Sequence, residues 1–321
     1  MGALVRSAVL TGPGSVEMVE VAAPPLAPGA VRIDVEGCGV CGSNLPVWEG
    51  RPWFDYPLPA GSPGHESWGR VIELGPGVVG LAEGERVATL ADNAFTDQLV
   101  VPANRVVVLP PELDGQPFPG EAIGCAFNAA RRSDFRPEQT VAVVGVGFLG
   151  TLLVALAAGA GARVIALARK PSAMDVARTM GADEAVLMDD HTRVIAEMAE
   201  LTGGAFCERV VEVTGAAWPL DLSGELTGFG GRLTIAGYHQ DGLRPVNVQL
   251  WNWRGIDVVN AHERDPAVQV RGIRDAVDAV AGGRLDPRPL YTHFFPLQDL
   301  KAGLDAAATR PEGFVKALMT S

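Results

Sequence analysis

The sequence predicts a two-part α/β protein, in which a mostly β N-terminal domain precedes a doubly wound parallel sheet. Two observations predict this fold class. In the first part of the 321-residue chain, short strands of alternating polarity are separated by Gly- and Pro-rich turns. From residue 140 onward, fully apolar strands alternate with helical segments, a pattern typical of parallel sheets covered by helices on both faces.

The N-terminal strands show the period of two that a half-buried strand requires. Apolar and polar residues alternate over 31–36, and three more short strands are predicted over 68–74, 85–90 and 97–101. Several short strands at this spacing indicate a barrel or a sandwich. We therefore expect the first 125 or so residues to form a barrel-like β domain.

The later segments are longer and more apolar. An apolar strand over 140–144 is followed by a helix over 149–160, a second strand over 163–168 and a helix near 172–180. Further strands are predicted over 185–188, 209–213, 232–236 and 256–259, with helices near 269–281 and 297–308.

One uncharged stretch, 139–162, is long enough to span a bilayer. Three glycines in its first half divide it into a strand, a turn and a helix, so we expect no membrane association. The N-terminal residues lack the hydrophobic core of a signal peptide, which favours the cytoplasm.

The overall charge and the cysteine content exclude several classes of protein. The formal net charge of −12 repels phosphate backbones, so we expect no nucleic-acid partner. Four cysteines in 321 residues do not make a disulfide framework. They are expected to be thiols or metal ligands in a reducing compartment.

A glycine-rich loop indicates a dinucleotide site, because a strand precedes it and a helix follows it. Gly145 allows the tight turn, Gly147 a close approach to a pyrophosphate, and Gly150 the packing of helix on strand. Phe148 and Leu149 lie at the start of the following helix, where their main-chain N–H groups would face the phosphates. The alternative is a glycine-rich turn without a ligand.

The end of the second apolar strand discriminates between the two nicotinamide dinucleotides. NAD sites place a carboxylate there for the ribose 2′-hydroxyl, whereas this chain has Ala168 followed by Arg169 and Lys170. Two cations and no carboxylate favour NADP, although NAD is possible. Alternatively, Arg169 and Lys170 form only a solvated turn.

Three separated pieces now carry a family resemblance: the segment 39–44 (Gly-Val-Cys-Gly-Ser-Asn), the segment 64–66 (Gly-His-Glu) and the glycine loop. In this order, they resemble medium-chain dehydrogenases/reductases of the zinc-dependent alcohol and polyol (sorbitol-type) branch. The resemblance implies a GroES-like β-barrel catalytic domain (1–125), a Rossmann domain (126–262) and a C-terminal segment (263–321) that returns to the catalytic domain. It also implies a homodimer or homotetramer.

The resemblance assigns the catalytic zinc to Cys41 and His65. Catalytic zinc takes three protein ligands, and the third is expected to be Glu121, with Cys125 as the alternative. The frame around Glu121 resembles the polyol branch, whereas Cys125 lies four residues too close to the glycine loop for the alcohol dehydrogenase type. Glu66 would lie beside the metal or exchange with water as a ligand.

Some positions depart from the family pattern. Asn44 stands in place of the usual Asp, Pro46 in place of a relay histidine, and Asn128 in place of a polyol-branch histidine. The lobe of four cysteines that holds a structural zinc is absent, so one catalytic zinc and no structural zinc are expected. These departures leave open a zinc-free relative in which Cys41 and His65 persist as remnants.

The resemblance implies hydride transfer between the nicotinamide and a small, polyhydroxylated alcohol or its ketone or aldehyde, with Ser43 passing the proton outward. The candidate substrate contacts are Trp48, Trp53, His262 and Arg264. Trp251 and Trp253 favour a subunit interface over substrate contact. Two other functions stay open: a zinc-free quinone- or enoyl-type reductase of the same fold, and a nucleotide-binding protein without turnover.

Overall fold

A computed structural model describes residues 4–321, and the chain divides into two compact units. The first unit comprises the chain up to Gly124 together with Asp265–Ser321, and the second unit is Cys125–Arg264. The C-terminal segment therefore belongs to the same unit as the N-terminal strands.

The helices and strands are numbered along the chain. The strands are β1 (Leu4–Gly12), β2 (Ser15–Ala22), β3 (Ala30–Gly39), β4 (Glu66–Leu74), β5 (Arg86–Thr89), β6 (Gln98–Pro102), β7 (Val106–Val108), β8 (Thr140–Val144), β9 (Arg163–Ala168), β10 (Glu184–Leu187), β11 (Cys207–Glu212), β12 (Thr227–Ile235), β13 (Asp257–Asn260), β14 (Tyr291–Pro296) and β15 (Lys316–Thr320). The helices are α1 (Leu45–Trp48), α2 (Gly120–Ser133), α3 (Phe148–Gly159), α4 (Pro171–Thr179), α5 (His191–Leu201), α6 (Ala217–Leu226), α7 (Val248–Arg254), α8 (Pro266–Ala281) and α9 (Leu300–Thr309).

The first unit is built around β3. Strand β4 pairs with one edge of β3, and on the other edge β6 pairs with its first half and β15 with its last residues, all antiparallel. The sheet runs in the order β14-β15-β3-β4-β5-β7, and β1 and β2 form a separate hairpin. The mostly β fold predicted for this part is confirmed, and the C-terminal segment adds β14 and β15 to it.

The second unit contains a six-stranded parallel sheet in the order β10-β9-β8-β11-β12-β13. This is the order of a doubly wound dinucleotide-binding fold, with its switch point between β8 and β11. In β8, Val141 and Val143 belong to a core with α3, whereas Ala142 and Val144 belong to a core with α5 and α6. A strand with both faces buried has to be apolar throughout, which is why the sequence pattern was continuous.

Most predicted elements agree with the structure, and β8 and β9 have the predicted bounds. Strand β11 begins at Cys207, two residues before its predicted start. Strand β12 begins at Thr227, five residues before its predicted start. Its first residues include Gly228, Gly230 and Gly231, and the pairing with β11 shifts register there, which interrupts the apolar pattern.

No helix within residues 4–321 is long and apolar enough to cross a membrane. The uncharged stretch 139–162 contains β8 and α3, joined by the glycine loop, as predicted.

Candidate active site

Strand pairing in the first unit brings Cys41 and His65 together. Cys41 follows the end of β3 and His65 precedes the start of β4. The last residue of β3, Gly39, lies opposite Glu66 at the start of β4. As a result, donor atoms of Cys41, His65 and Glu66 all lie within 4.8 Å of one another, close enough to share a metal ion.

Backbone and amide groups orient these side chains. The Nδ1 of His65 donates to the carbonyl oxygen of Pro63 at 2.8 Å, which leaves Nε2 as the donor atom for a metal. Asn44 is buried; its Oδ1 accepts from the backbone N–H of Cys41 at 2.9 Å, and its Nδ2 donates to the same Pro63 carbonyl at 3.1 Å. Asn44 therefore links both candidate ligands without adding a charge.

The electrostatics of this group favour a cation. Burial by itself lowers the pKa of His65, but its interactions with Cys41, Glu121 and Glu66 outweigh burial and raise this pKa well above its usual value. Surroundings that stabilise a positive charge on His65 also stabilise a bound metal ion. Because cysteine, histidine and carboxylate are the ligands that zinc takes in proteins, these residues fit a catalytic zinc.

The sequence reasoning missed Lys316, which lies beside this group. Its Nζ is 2.7 Å from Oε1 and 2.5 Å from Oε2 of Glu66, and both side chains are almost fully buried. The two residues lie on β15 and β4, on either side of β3, and meet over Gly39, where a Cβ would overlap the Glu66 carboxylate. Burial lowers the pKa of Lys316, but Glu66 and its other anionic neighbours raise it further, so the net shift is upward.

The remaining candidates of the first unit are spread around this group. Glu121 lies in the first turn of α2 and outside the set of donor atoms that approach within 4.8 Å among the described residues. Ser43 is half-buried in a short 3₁₀ turn. Trp48 is only 4% exposed, and its indole N–H donates to Asp305 Oδ1 at 3.1 Å, so it packs in the core; Trp53 is 50% exposed.

Two of the cysteines are core residues. Cys38 on β3 is buried, and burial raises the pKa of its thiol. Burial also raises the pKa of Cys207, to about 12. Cys125 is half-buried in α2, one turn after Glu121. The thiol beside His65 is that of Cys41.

The glycine loop of the second unit has the geometry that a dinucleotide site requires. Gly145 has a φ of +101°, and a Cβ there would lie 2.5 Å from the Thr214 methyl group. A Cβ at Gly150 would overlap the carbonyl oxygen of Gly145, whereas a Cβ at Gly147, the N-cap of α3, would meet nothing within 4 Å. The open side of the loop therefore lies at Gly147, at the N-terminus of a helix.

The other predicted residues of the second unit lie at the carboxyl ends of its strands. Arg169 and Lys170 follow β9 directly and are exposed. His262 and Arg264 follow β13 and are exposed, and the His262 ring stacks on Tyr238, which follows β12, with centroids 5.8 Å apart. Burial, and then the charge of Arg264, lower the pKa of His262.

A second group of possible metal ligands in the described chain comprises His191, Asp221 and Glu225. Its hydrogen bonds are unsuitable for a metal. The indole N–H of Trp218 donates to Nδ1 of His191 at 3.0 Å, so the proton of the neutral ring is on Nε2, which faces Glu225 at 3.4 Å. Both ring nitrogens are therefore engaged.

The fold and these two sites define a class of protein: an oxidoreductase that combines a dinucleotide-binding sheet with a candidate zinc group. Comparisons with known proteins agree with this class. Residues 27–111 match the alcohol dehydrogenase GroES-like domain, and residues 149–270 match the zinc-binding dehydrogenase domain.

Among curated proteins, the erythritol/L-threitol dehydrogenase of Mycolicibacterium smegmatis is 28% identical, over 96% of this chain and 95% of that protein. The 2-dehydro-3-deoxy-L-galactonate 5-dehydrogenase of Pseudoalteromonas atlantica is 25% identical, over 91% of each chain. Among solved structures, the 2R,3R-butanediol dehydrogenase of Bacillus subtilis superposes with a TM-score of 0.85 at 25% identity, over 99% of each chain.

The chain belongs to the zinc-dependent medium-chain dehydrogenase/reductase family, as its motifs predicted. It is an NAD(P)-dependent oxidoreductase of the alcohol dehydrogenase type, with zinc as its metal, and it contains a GroES-like domain and a Rossmann-type sheet.

Proposed function

We propose that this protein is an NADP(H)-dependent polyol dehydrogenase that oxidises a secondary hydroxyl group of a small, polyhydroxylated alcohol to a ketone. The observation that carries the proposal is the group of Cys41, His65 and Glu66, whose donor atoms lie within 4.8 Å of one another. The substrate class is supported by the names of two relatives, an erythritol/L-threitol dehydrogenase and a butanediol dehydrogenase.

Cys41, His65 and Glu121 are the proposed ligands of a single catalytic zinc, with Cys125 as the alternative to Glu121. Glu66 also has a donor atom near Cys41 and His65, but its carboxylate is already paired with Lys316. The Glu121 carboxylate is close enough to His65 to raise its pKa, which supports its role. Zinc would supply Lewis acidity to the substrate oxygen. No second, structural zinc is part of the proposal.

The chain's own residues then have separate tasks. The Asn44 amide and the Pro63 carbonyl hold the Cys41 main chain and the His65 ring. Ser43, by family resemblance, would hydrogen-bond the substrate hydroxyl, take up its proton and pass its own proton outward, while bound nicotinamide would supply the hydride acceptor. With Pro46 in place of a histidine, that proton leaves through water or another group.

Arg169 and Lys170 are the proposed contacts of the NADP 2′-phosphate, since they are exposed and directly follow β9. Substrate contacts are proposed for Trp53, His262 and Arg264. Trp48 is the weakest candidate, because its ring is buried and its N–H is used by Asp305.

A homodimer or homotetramer is also proposed. Among the strands of residues 4–321, β13 pairs with β12 alone, so we assign its other edge to a second copy of the chain; Val258 on this strand is 41% exposed. Trp253, in the preceding helix α7, is 77% exposed, which supports an interface on this side. Light scattering after size exclusion would report the mass.

The test combines metal analysis with a substrate panel. The purified protein should contain about one zinc per chain, and Cys41→Ser should lose both the zinc and the activity. NADP⁺ reduction should be faster with four-carbon polyols and vicinal diols than with ethanol or other simple primary alcohols. Less than half an equivalent of zinc, with no loss of rate in chelator, would favour the zinc-free reductase instead.

Cofactor choice is tested separately. Arg169→Ala should lower kcat/KM for NADP⁺ by roughly tenfold, because a charge-assisted hydrogen bond to the phosphate is lost, and should leave kcat/KM for NAD⁺ nearly unchanged. An equal effect on both cofactors would contradict the 2′-phosphate contact.

A further inference from the structure

A buried carboxylate in the second unit is not explained by the zinc site or the glycine loop. Glu212 ends β11, beside the switch point of the sheet, and its side chain is fully buried. A buried carboxylate is stable only with several hydrogen-bond donors. Its Oε1 accepts from the backbone N–H groups of Thr214 (2.6 Å) and Gly215 (2.9 Å) and from the Thr214 hydroxyl (2.5 Å).

The other carboxylate oxygen of Glu212 holds the loop that follows β12. Nε2 of His239 donates to Oε2 at 2.9 Å, and Nδ1 of His239 accepts from Nε of Arg244 at 3.2 Å. One donor and one acceptor is the pattern of a neutral imidazole. The Arg244 guanidinium also donates to the Gly215 carbonyl at 3.3 Å and pairs with Asp241. The hydrogen bonds thus form a closed ring that ties the loop after β11 to the loop after β12.

The two loops are also packed closely against each other and against the glycine loop. Gly215 has a φ of +73°, and a Cβ there would lie 2.5 Å from the carbonyl oxygen of Tyr238. Thr214, held by Glu212, lies against Gly145. We therefore expect a displacement of His239 to displace the neighbouring Tyr238 backbone. The contact of Thr214 with the glycine loop would oppose that displacement.

The topology indicates which ligand these loops would meet. A doubly wound sheet consists of two mononucleotide-binding halves, and its ligand lies at the carboxyl ends of the strands. The half formed by β8, β9 and β10 carries the glycine loop and Arg169, which suit the adenosine end. The loops after β11 and β12 belong to the other half, which leaves the nicotinamide end of the dinucleotide for them.

We propose that Glu212, His239 and Arg244 form a clamp that positions the loop 237–244 for the nicotinamide half of the cofactor. His239 is the central member, because it is hydrogen-bonded to both of the others. These are positioning residues, since they act through the backbone of the two loops. The proposal rests on the NADP(H) dependence proposed above and assigns these residues a role specific to the nicotinamide half of the cofactor.

The experiment compares a whole and a half cofactor in the full-length protein. Calorimetric titration gives dissociation constants for NADP⁺ and for adenosine 2′,5′-bisphosphate, which lacks the nicotinamide end. His239→Ala should weaken NADP⁺ binding about tenfold, because two hydrogen bonds are lost, and should change bisphosphate binding less than about twofold. His239→Gln, whose amide still donates to Glu212, should restore most of the NADP⁺ affinity.

His191→Ala is the matched control, since His191 is another histidine of this unit that faces a glutamate, at 3.4 Å. It should leave both affinities unchanged. Unchanged NADP⁺ binding by His239→Ala, or equal weakening of both ligands, would overturn the clamp. If His239→Ala has no cooperative thermal transition, Arg244→Met is judged by the same criteria. A wild-type protein that binds neither ligand would instead refute the proposed cofactor.

Discussion

Replacing Lys316 by methionine would test the buried ion pair at the candidate zinc site. The substitution keeps the length of the side chain and removes its charge. The Glu66 carboxylate, 1% exposed and 2.5–2.7 Å from the Lys316 Nζ, would then be buried without its counter-ion. Breaking a buried pair in this way costs about 3–5 kcal/mol, because the remaining charge is neither hydrated nor neutralised.

The assay is urea unfolding at neutral pH, both with added zinc and after chelation, so that metal binding is separated from folding. The raised pKa of Lys316 keeps it protonated there: its contribution is complete below the usual lysine pKa and is lost only as pH rises through the folded-state pKa. Lys301→Met is the matched control. Lys301 pairs with Asp305 at 2.6 Å, but it is 58% exposed, so its loss should cost less than about 1 kcal/mol.

The double variant Lys316→Met/Glu66→Gln tests whether the loss of stability comes from the unpaired Glu66 charge. Removing both charges should recover a large part of the loss, since a neutral amide is much less costly to bury than a lone carboxylate. A Lys316→Met variant no less stable than Lys301→Met, or a double variant that is the least stable of all, would refute this account of the ion pair.

Three further changes have defined outcomes. Asn44→Ala removes the hydrogen bonds to the Cys41 backbone and to the Pro63 carbonyl that holds His65, so zinc affinity, measured by competition with a chromophoric chelator, should fall about 10–100-fold. An unchanged affinity would show that the Asn44 amide is not needed to position these ligands. Gly150→Ala places a Cβ against the carbonyl oxygen five residues earlier, and should destabilise the protein by about 1–3 kcal/mol and weaken NADP⁺ binding, whereas Gly159→Ala at the end of the same helix has open space and should do neither. The pKa of Asp134 is lowered, first by its hydrogen bond from Arg136, so this carboxylate stabilises the fold above the usual aspartate pKa and loses that effect as pH falls through its folded-state pKa. In Asp134→Asn, the difference in unfolding free energy between about pH 7 and pH 3 should therefore be smaller than in the wild type, by less than about 1 kcal/mol. A difference larger than that of the wild type would contradict the sign.

The fold was predictable from the sequence because its strongest signals are local. β8 and β9 are buried on both faces, so their apolar runs mark the strands without knowledge of the partners. The roles of Gly145 and Gly150 were also predictable, since a turn of this kind leaves no room for a side chain. The start of β12 was missed, because three glycines and a register shift carry no periodic pattern.

At the candidate site, the sequence pointed to Cys41 and His65 through their motifs, but the partners of these residues depend on distant strands. Lys316 is 250 residues from Glu66 along the chain. The local signal of its burial was a single lysine in an otherwise apolar stretch, 315–319. Trp48 looked like a pocket residue from its position after the motif, whereas its contact with Asp305 on α9 places it in the core.

The order of strands and helices, the glycine loop, and the thiol and imidazole of the candidate metal group follow from the amino-acid sequence, because periodicity, turn chemistry and ligand type are properties of short segments. Which buried charges meet depends on the tertiary fold. Glu66 pairs with Lys316 over Gly39, and Glu212 is hydrogen-bonded to His239 in the loop after β12, because strands that are distant in the chain become neighbours in a sheet. A buried charge is stable only where the fold supplies its partner, and that partner is not encoded nearby.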